Sequence, residues 1–180
     1  NKSSRAVTHF NPPALENRPV RQIVEDKLGN LWLGMSRFGV FKWDPVKGKN
    51  KFEDGLSRFD GIPIEQIYST IVDSKGFVWI AGAVTGLYVI DPVSNKVVLH
   101  FHEKANAELK LPEQNVFAVL EYSDSLMAIA TTNHVIFYNR YSRKSSYITS
   151  DETLPGQISS LEKDKYNNLW IGTTSALYKV

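Results

Sequence analysis

A short unit recurs three times, and it constrains the fold more than any other feature. It reads Asp26-Lys27-Leu28-Gly29-Asn30-Leu31-Trp32-Leu33-Gly34, then Asp73-Ser74-Lys75-Gly76-Phe77-Val78-Trp79-Ile80-Ala81-Gly82, then Asp164-Lys165-Tyr166-Asn167-Asn168-Leu169-Trp170-Ile171-Gly172. Each copy follows an apolar run, starting at Val20, Ile67 or Ile158. That run predicts a half-buried strand. The Asp opens a turn, because its carboxylate can accept backbone N–H groups within it. Gly29, Gly76 or Asn167 follows, and Gly and Asn tolerate the positive φ of such a turn. A second strand carries Trp32, Trp79 or Trp170 and then a small residue near Gly34, Gly82 or Gly172. A third strand comes next: Val40 to Trp43, Leu87 to Ile90, Ala176 to Lys179. Asp44-Pro45 and Asp91-Pro92 end it in the first two copies, since Pro cannot donate to a ladder.

A fourth copy is hidden between the second and the last. Val116 aligns with Ile158, Ala130 with Gly172 and Val135 with Leu177, without a gap. In that register Tyr122, Ser125 and Ala128 replace the Asp, the Gly and the Trp. The first strands therefore begin at 20, 67, 116 and 158. That period matches one four-stranded propeller blade. We expect an all-β propeller of four-stranded antiparallel blades over 1–180, with repeats at 20–52, 67–101, 116–149 and 158–180. Residues 5–10 are expected to form an outer strand that closes the last blade. Four blades could close a ring by themselves or form a slice of a larger one. The units differ little from one another, which favours the slice. The chain begins at Asn1 rather than Met, so we read it as a segment of something longer.

Composition excludes several classes. With 42% hydrophobic and 12% aromatic residues, the chain is not disordered. Its 21 basic and 19 acidic residues give no sign of a nucleic-acid or membrane-surface partner. There is no Cys, so neither disulfides nor thiol chemistry are available. No run approaches the length of a membrane helix.

Recurrence also sorts the candidate residues. Asp26, Asp73 and Asp164 recur as turn-formers, whereas a catalytic residue would occur once. The tryptophans recur at one strand position, so we expect packing between neighbouring blades rather than sugar stacking. Lys47, Lys49 and Lys51 alternate, and we read them as a charge-protected outer strand rather than a phosphate site. The segment 53–65 reads as loop. His100 and His102 share a strand face but lack a third ligand, so no metal is expected. No phosphate loop or nucleophile elbow is present, and no cofactor is expected. A ligand would meet the face of the d–a and b–c connections, because loops carry function. There the candidates are Arg37, Arg58, Asp60, Asn133 and His134, with Phe38 and Phe59 to stack on a sugar ring.

The pattern of apolar strand, Asp, Gly, Trp-Ile/Leu-Gly and then Gly-Leu/Val-Tyr/Phe resembles the repeats of two-component regulator propellers. The resemblance is clearest in Ile67 to Asp91 and weak in Val116 to Asn139. It implies the periplasmic sensor region of hybrid two-component systems, common in gut Bacteroides, where further domains, a membrane helix and a histidine kinase follow. The expected function is a noncatalytic ligand-binding or scaffold segment. The implied ligand is an oligosaccharide, and the parent sensor would self-associate. The rivals are a propeller lyase or hydrolase with a site at the channel mouth, and a protein-interaction platform.

Overall fold

The computed structural model describes residues 7–149 and 156–180. Four antiparallel sheets follow one another along the chain. Blade one holds β1 (Val20–Glu25), β2 (Leu31–Met35), β3 (Val40–Trp43) and β4 (Leu56–Arg58). Blade two holds β5 (Ile67–Val72), β6 (Val78–Gly82), β7 (Leu87–Asp91) and β8 (Lys96–Phe101). Blade three holds β9 (Val116–Glu121), β10 (Leu126–Thr131), β11 (His134–Asn139) and β12 (Ser145–Thr149). Blade four, among the described residues, holds β13 (Ile158–Lys163), β14 (Leu169–Thr173) and β15 (Leu177–Lys179). The innermost strands stack in sequence, β1 on β5, β5 on β9 and β9 on β13. The chain is an all-β propeller.

The recurring Asp and Trp explain why blades one, two and four turn where they do. Asp26 accepts the Leu28 and Asn30 N–H groups at 2.9 and 3.0 Å. Asp73 accepts those of Lys75 and Phe77, and Asp164 those of Tyr166 and Asn168. Gly29, Gly76 and Asn167 take φ of 81°, 95° and 65°. The other carboxylate oxygen of each Asp accepts the indole N–H of its own Trp, at 2.8, 2.8 and 3.0 Å. Each signature is thus one hydrogen-bonded unit. It satisfies the turn and, in the first two copies, fixes the ring that fills the gap to the next blade.

Trp32 is buried with Ile67, Val78, Ile80 and Tyr88 of blade two. Trp79 is buried with Val119, Met127, Ile129 and Tyr138 of blade three. Gly34 is small because blade two comes close: a Cβ there would stand 3.0 Å from both Ile67 and Thr70. Ile23 and Leu177 are 59% and 65% exposed, on the strand faces turned away from the packed neighbours.

Four expectations need correction. The outer strand of blade one is not the stretch of alternating lysines. Residues 47–49 form a turn of 3-10 helix, Phe52–Gly55 a short α1, and the strand is β4. Trp43 causes this: it stacks on Phe52 at 5.4 Å and donates its indole N–H to the Phe52 carbonyl. The segment 53–65 is therefore not all loop. The residue equivalent to Gly34 and Gly172 is Ala81 rather than Gly82, since Gly34, Ala81 and Gly172 pair with Gln22, Ser69 and Ser160 beside the same bulge. The outer strand expected at 5–10 falls partly outside the described residues. Residues 7–10 are not strand, and Phe10 stacks on Phe52 of blade one at 4.6 Å.

Candidate functional site

At the end bearing the β2–β3, β6–β7 and β10–β11 turns, the last two are each held by a buried or half-buried carboxylate. Glu65, before β5, accepts hydrogen bonds from the Val84 N–H at 2.7 Å and from the Thr85 hydroxyl. Glu113, before β9, does the same for the next blade. It accepts the Asn133 N–H at 2.9 Å and stands 3.6 Å from His134 Nδ1. Burial pushes the Glu113 carboxyl up, but donors from Thr131 and Asn133 and the neighbouring His134 outweigh it and leave it below its usual value. Asn133 is thus engaged in closing its own turn, whereas His134 Nδ1 is buried beside Glu113 without a hydrogen bond. Sequence reasoning missed Glu65 and Glu113. The available signal was an acid two or three residues ahead of the first strand of a blade.

The residues expected to form one site fall in three places. Arg37 is exposed on the β2–β3 turn with φ 58°. Phe38 stacks on Phe41 at 5.7 Å, with the Arg18 guanidinium 5.2 Å from its ring. Asn133 and His134 lie on blade three. Arg58, Phe59 and Asp60 do gather, with Lys42, Asn95 and Lys96, around a cleft of about 520 Å³ between β4 and β8. Arg58 Nε stands 3.7 Å from Asp60 Oδ1. Phe59 is not the exposed platform expected. It is 6% exposed and meets Trp32 edge-on at 5.3 Å. Apolar burial outcompetes the loop position assigned to it.

At the opposite end Arg140 joins blades two and three. One guanidinium nitrogen donates to Asp73 at 2.9 Å and the other to Glu121 at 2.7 Å and to the Asp124 carbonyl. Burial raises the Glu121 pKa, yet donors from Ser74 and Arg140 draw it below its usual value. His100 and His102 stack in a row with Tyr88, at 4.1 and 4.4 Å. His100 Nε2 lies 2.6 Å from the Thr85 carbonyl. Among the described residues no three His, Cys, Asp or Glu gather to hold a metal.

The family model described as "Two component regulator propeller" matches residues 14–37 and 154–175. The extracellular domain of BT3049, described as a hybrid two component system of B. thetaiotaomicron, superimposes with a TM-score of 0.71 at 15% identity. That match covers 99% of this chain and 24% of the other. The extracellular domain of BT4673 from the same organism gives 0.69 at 18% identity, over 91% of this chain and 20% of the other. Virginiamycin B lyase from Staphylococcus aureus gives 0.61 at 13% identity, over 89% of this chain and 55% of the other. No curated protein matches the sequence. The chain thus spans about a quarter or less of the two B. thetaiotaomicron domains. The family match thus falls on the first two strands of blades one and four, which are similar to the repeats of two-component regulator propellers.

Proposed function

We propose that this chain is a noncatalytic, periplasmic sensor segment of a hybrid two-component signalling protein, and a slice of a larger propeller. The observation that carries the reading is the family match in the first and last blades, on a fold shared with extracellular domains of such proteins. Exposed Ile23 and Leu177 support the slice, since repeat units bury such faces against further units. No helix among the described residues is long and apolar enough to cross a membrane. The proposed ligand is an oligosaccharide. The cleft of Arg58, Asp60, Lys42 and Asn95 is polar and open enough for a hydroxylated chain. Arg37, Phe38, Asn133 and His134 share with Arg58 and Asp60 the face of the d–a and b–c connections.

Ligand binding would act by differential affinity for two arrangements of a self-associated parent, one of which favours kinase output. The test is autophosphorylation of the full-length parent in membranes, with and without its inducing glycan. Deletion of blades two and three should abolish the response. A parent that responds unchanged without them contradicts the proposal.

A further inference from the structure

The junctions between blades can be compared position by position, because the repeat places equivalent residues at each. At the junction of blades one and two, a shallow cleft of about 340 Å³ opens beside the β3–β4 and β7–β8 turns. Lys42 and Ser57 pair across β3 and β4 on its floor, and Pro92, Val93 and Asn95 form its wall. At the junction of blades two and three the same place holds a cleft of about 470 Å³. Here Val89 and Leu99 replace Lys42 and Ser57, and they pair in the same way. Arg140, Tyr141 and Arg143 replace Pro92, Val93 and Asn95. The turns correspond: Asn95 and Arg143 both take φ 55°, and the Val93 and Tyr141 N–H groups both donate to the side chain opening the turn.

The change inverts the site. A polar floor becomes apolar, and an uncharged wall becomes aromatic and cationic. Scaffold residues recur from blade to blade, whereas these occur once and all line one cleft.

We propose that this cleft binds a small organic anion, a carboxylate carried on a ring. The ring would cover Phe77, Val98 and Leu99, which are half-buried or exposed. Tyr141, 62% exposed, offers a ring to stack against. Two accessible cations flank this trough. Lys75 Nζ lies 4.8 Å from the Tyr141 ring centroid and 3.3 Å from Asp124. Arg143 lies 3.5 Å from Glu108. The Arg143–Glu108 pair is an exposed ion pair of little strength, so a ligand carboxylate can replace Glu108. Lys75 is tied further to the Tyr141 hydroxyl, which accepts from it and donates to Asp124, each at 2.6 Å, and so acts as the secondary cation. Arg140 is committed to Asp73 and Glu121 and serves as the wall. The volume lies within the range of ligand pockets and suits one or two rings. This inference does not rest on the sensor reading.

The test is a backbone-amide NMR titration of the full chain with four probes: 4-hydroxyphenylacetate, its neutral amide, D-glucuronate and D-glucose. The expected result is saturable shifts confined to residues 73–77, 98–99 and 138–143 with one of the two acids, at a Kd of about 1 mM for so small a ligand. Which acid binds tells an aromatic source from a sugar source. Its neutral counterpart should bind at least about tenfold more weakly, and Arg143→Ala should weaken the acid by about tenfold, as loss of a charge-assisted hydrogen bond implies. Tyr141→Ala should abolish saturation; both side chains are exposed, so each variant should keep the wild-type melting curve. The proposal is overturned if neither acid gives saturable shifts there, if the neutral probes bind equally well, or if Arg143→Ala leaves the affinity unchanged. Loss of this site would leave the kinase response to a glycan untouched, which separates the two readings.

Discussion

Blades two and three share one strand pattern but hold their turns by different chemistry. In blade two, Asp73 ties the turn to Trp79, and the ring fills the junction with blade three. In blade three, Tyr122 and Ala128 stand at those two positions, so neither the carboxylate nor the indole exists. The turn still forms, with the Tyr122 N–H donating to the Leu126 carbonyl at 3.0 Å. The space is filled by Tyr122 itself, edge-on to Phe137 at 5.6 Å, and its hydroxyl donates to the Asn167 carbonyl of blade four. The difference separates two roles that the signature merges elsewhere. Strand register makes the blade, and the Asp–Trp unit is one way of closing its junction.

The largest effect should come from removing the ring. Trp79→Ala is expected to cost about 3–5 kcal/mol, as other large core truncations do. Chemical denaturation checks it, and wild-type-like unfolding would remove the packing argument. Arg140→Ala should cost about 2–3 kcal/mol, because buried Asp73 and half-buried Glu121 lose a charged donor. Arg140→Lys should recover only a fraction of this, since one ammonium cannot reproduce a two-pronged contact. Trp170→Ala should cost less than Trp79→Ala, about 1–2 kcal/mol, since that ring is partly exposed and gives up less area. Equal losses for the two tryptophans would break the comparison. Tyr122→Phe should cost about 0.5–1.5 kcal/mol, the range of one hydrogen bond.

Acid should weaken the signature blades as well. At Asp26, burial raises the carboxyl pKa, but the Trp32, Asn30 and Leu28 donors more than offset it, and the pKa lies below its ordinary value. A depressed carboxylate stabilises the fold above its unfolded pKa of about 3.9 and loses that contribution as pH falls through the folded value. Asp26→Asn should therefore be less stable than the wild type at pH 7, with the gap narrowing below about pH 4. A gap that stays constant with pH would exclude the ionised Asp–Trp pair.

Much of this was legible in the residues. The period, the Asp turn, the positive-φ Gly and Asn and the interblade tryptophans all recur, and recurrence exposes them. The ungapped register of blade three was legible too: Val116 pairs with Thr131 as Ile158 pairs with Thr173. What stayed hidden depends on contacts between distant positions. The Asp–Trp hydrogen bond links two residues six positions apart, on a turn and on the strand after it, whose separate recurrence does not reveal the contact. Phe59 lies in a loop by sequence but in the core by packing, because Trp32 needs a neighbour there. Lys47 to Lys51 alternate like a strand, yet the Trp43 ring folds them into a turn. Arg140 finds Asp73 across a junction, 67 residues away. Loop position alone does not tell the Arg37 side chain, exposed on its turn, from Asn133, which is bound to Glu113.

The proposed recognition of an oligosaccharide by these blades is tested most directly by a thermal melt of the full chain against oligosaccharides from plant and host glycans. At 100 times its Kd a ligand adds about 2.7 kcal/mol. For a chain of this size that raises Tm by about 5–10 °C. The account predicts such a shift with at least one glycan, and its loss in Arg58→Ala. A cooperative melt that no glycan moves would contradict recognition of an oligosaccharide within these four blades.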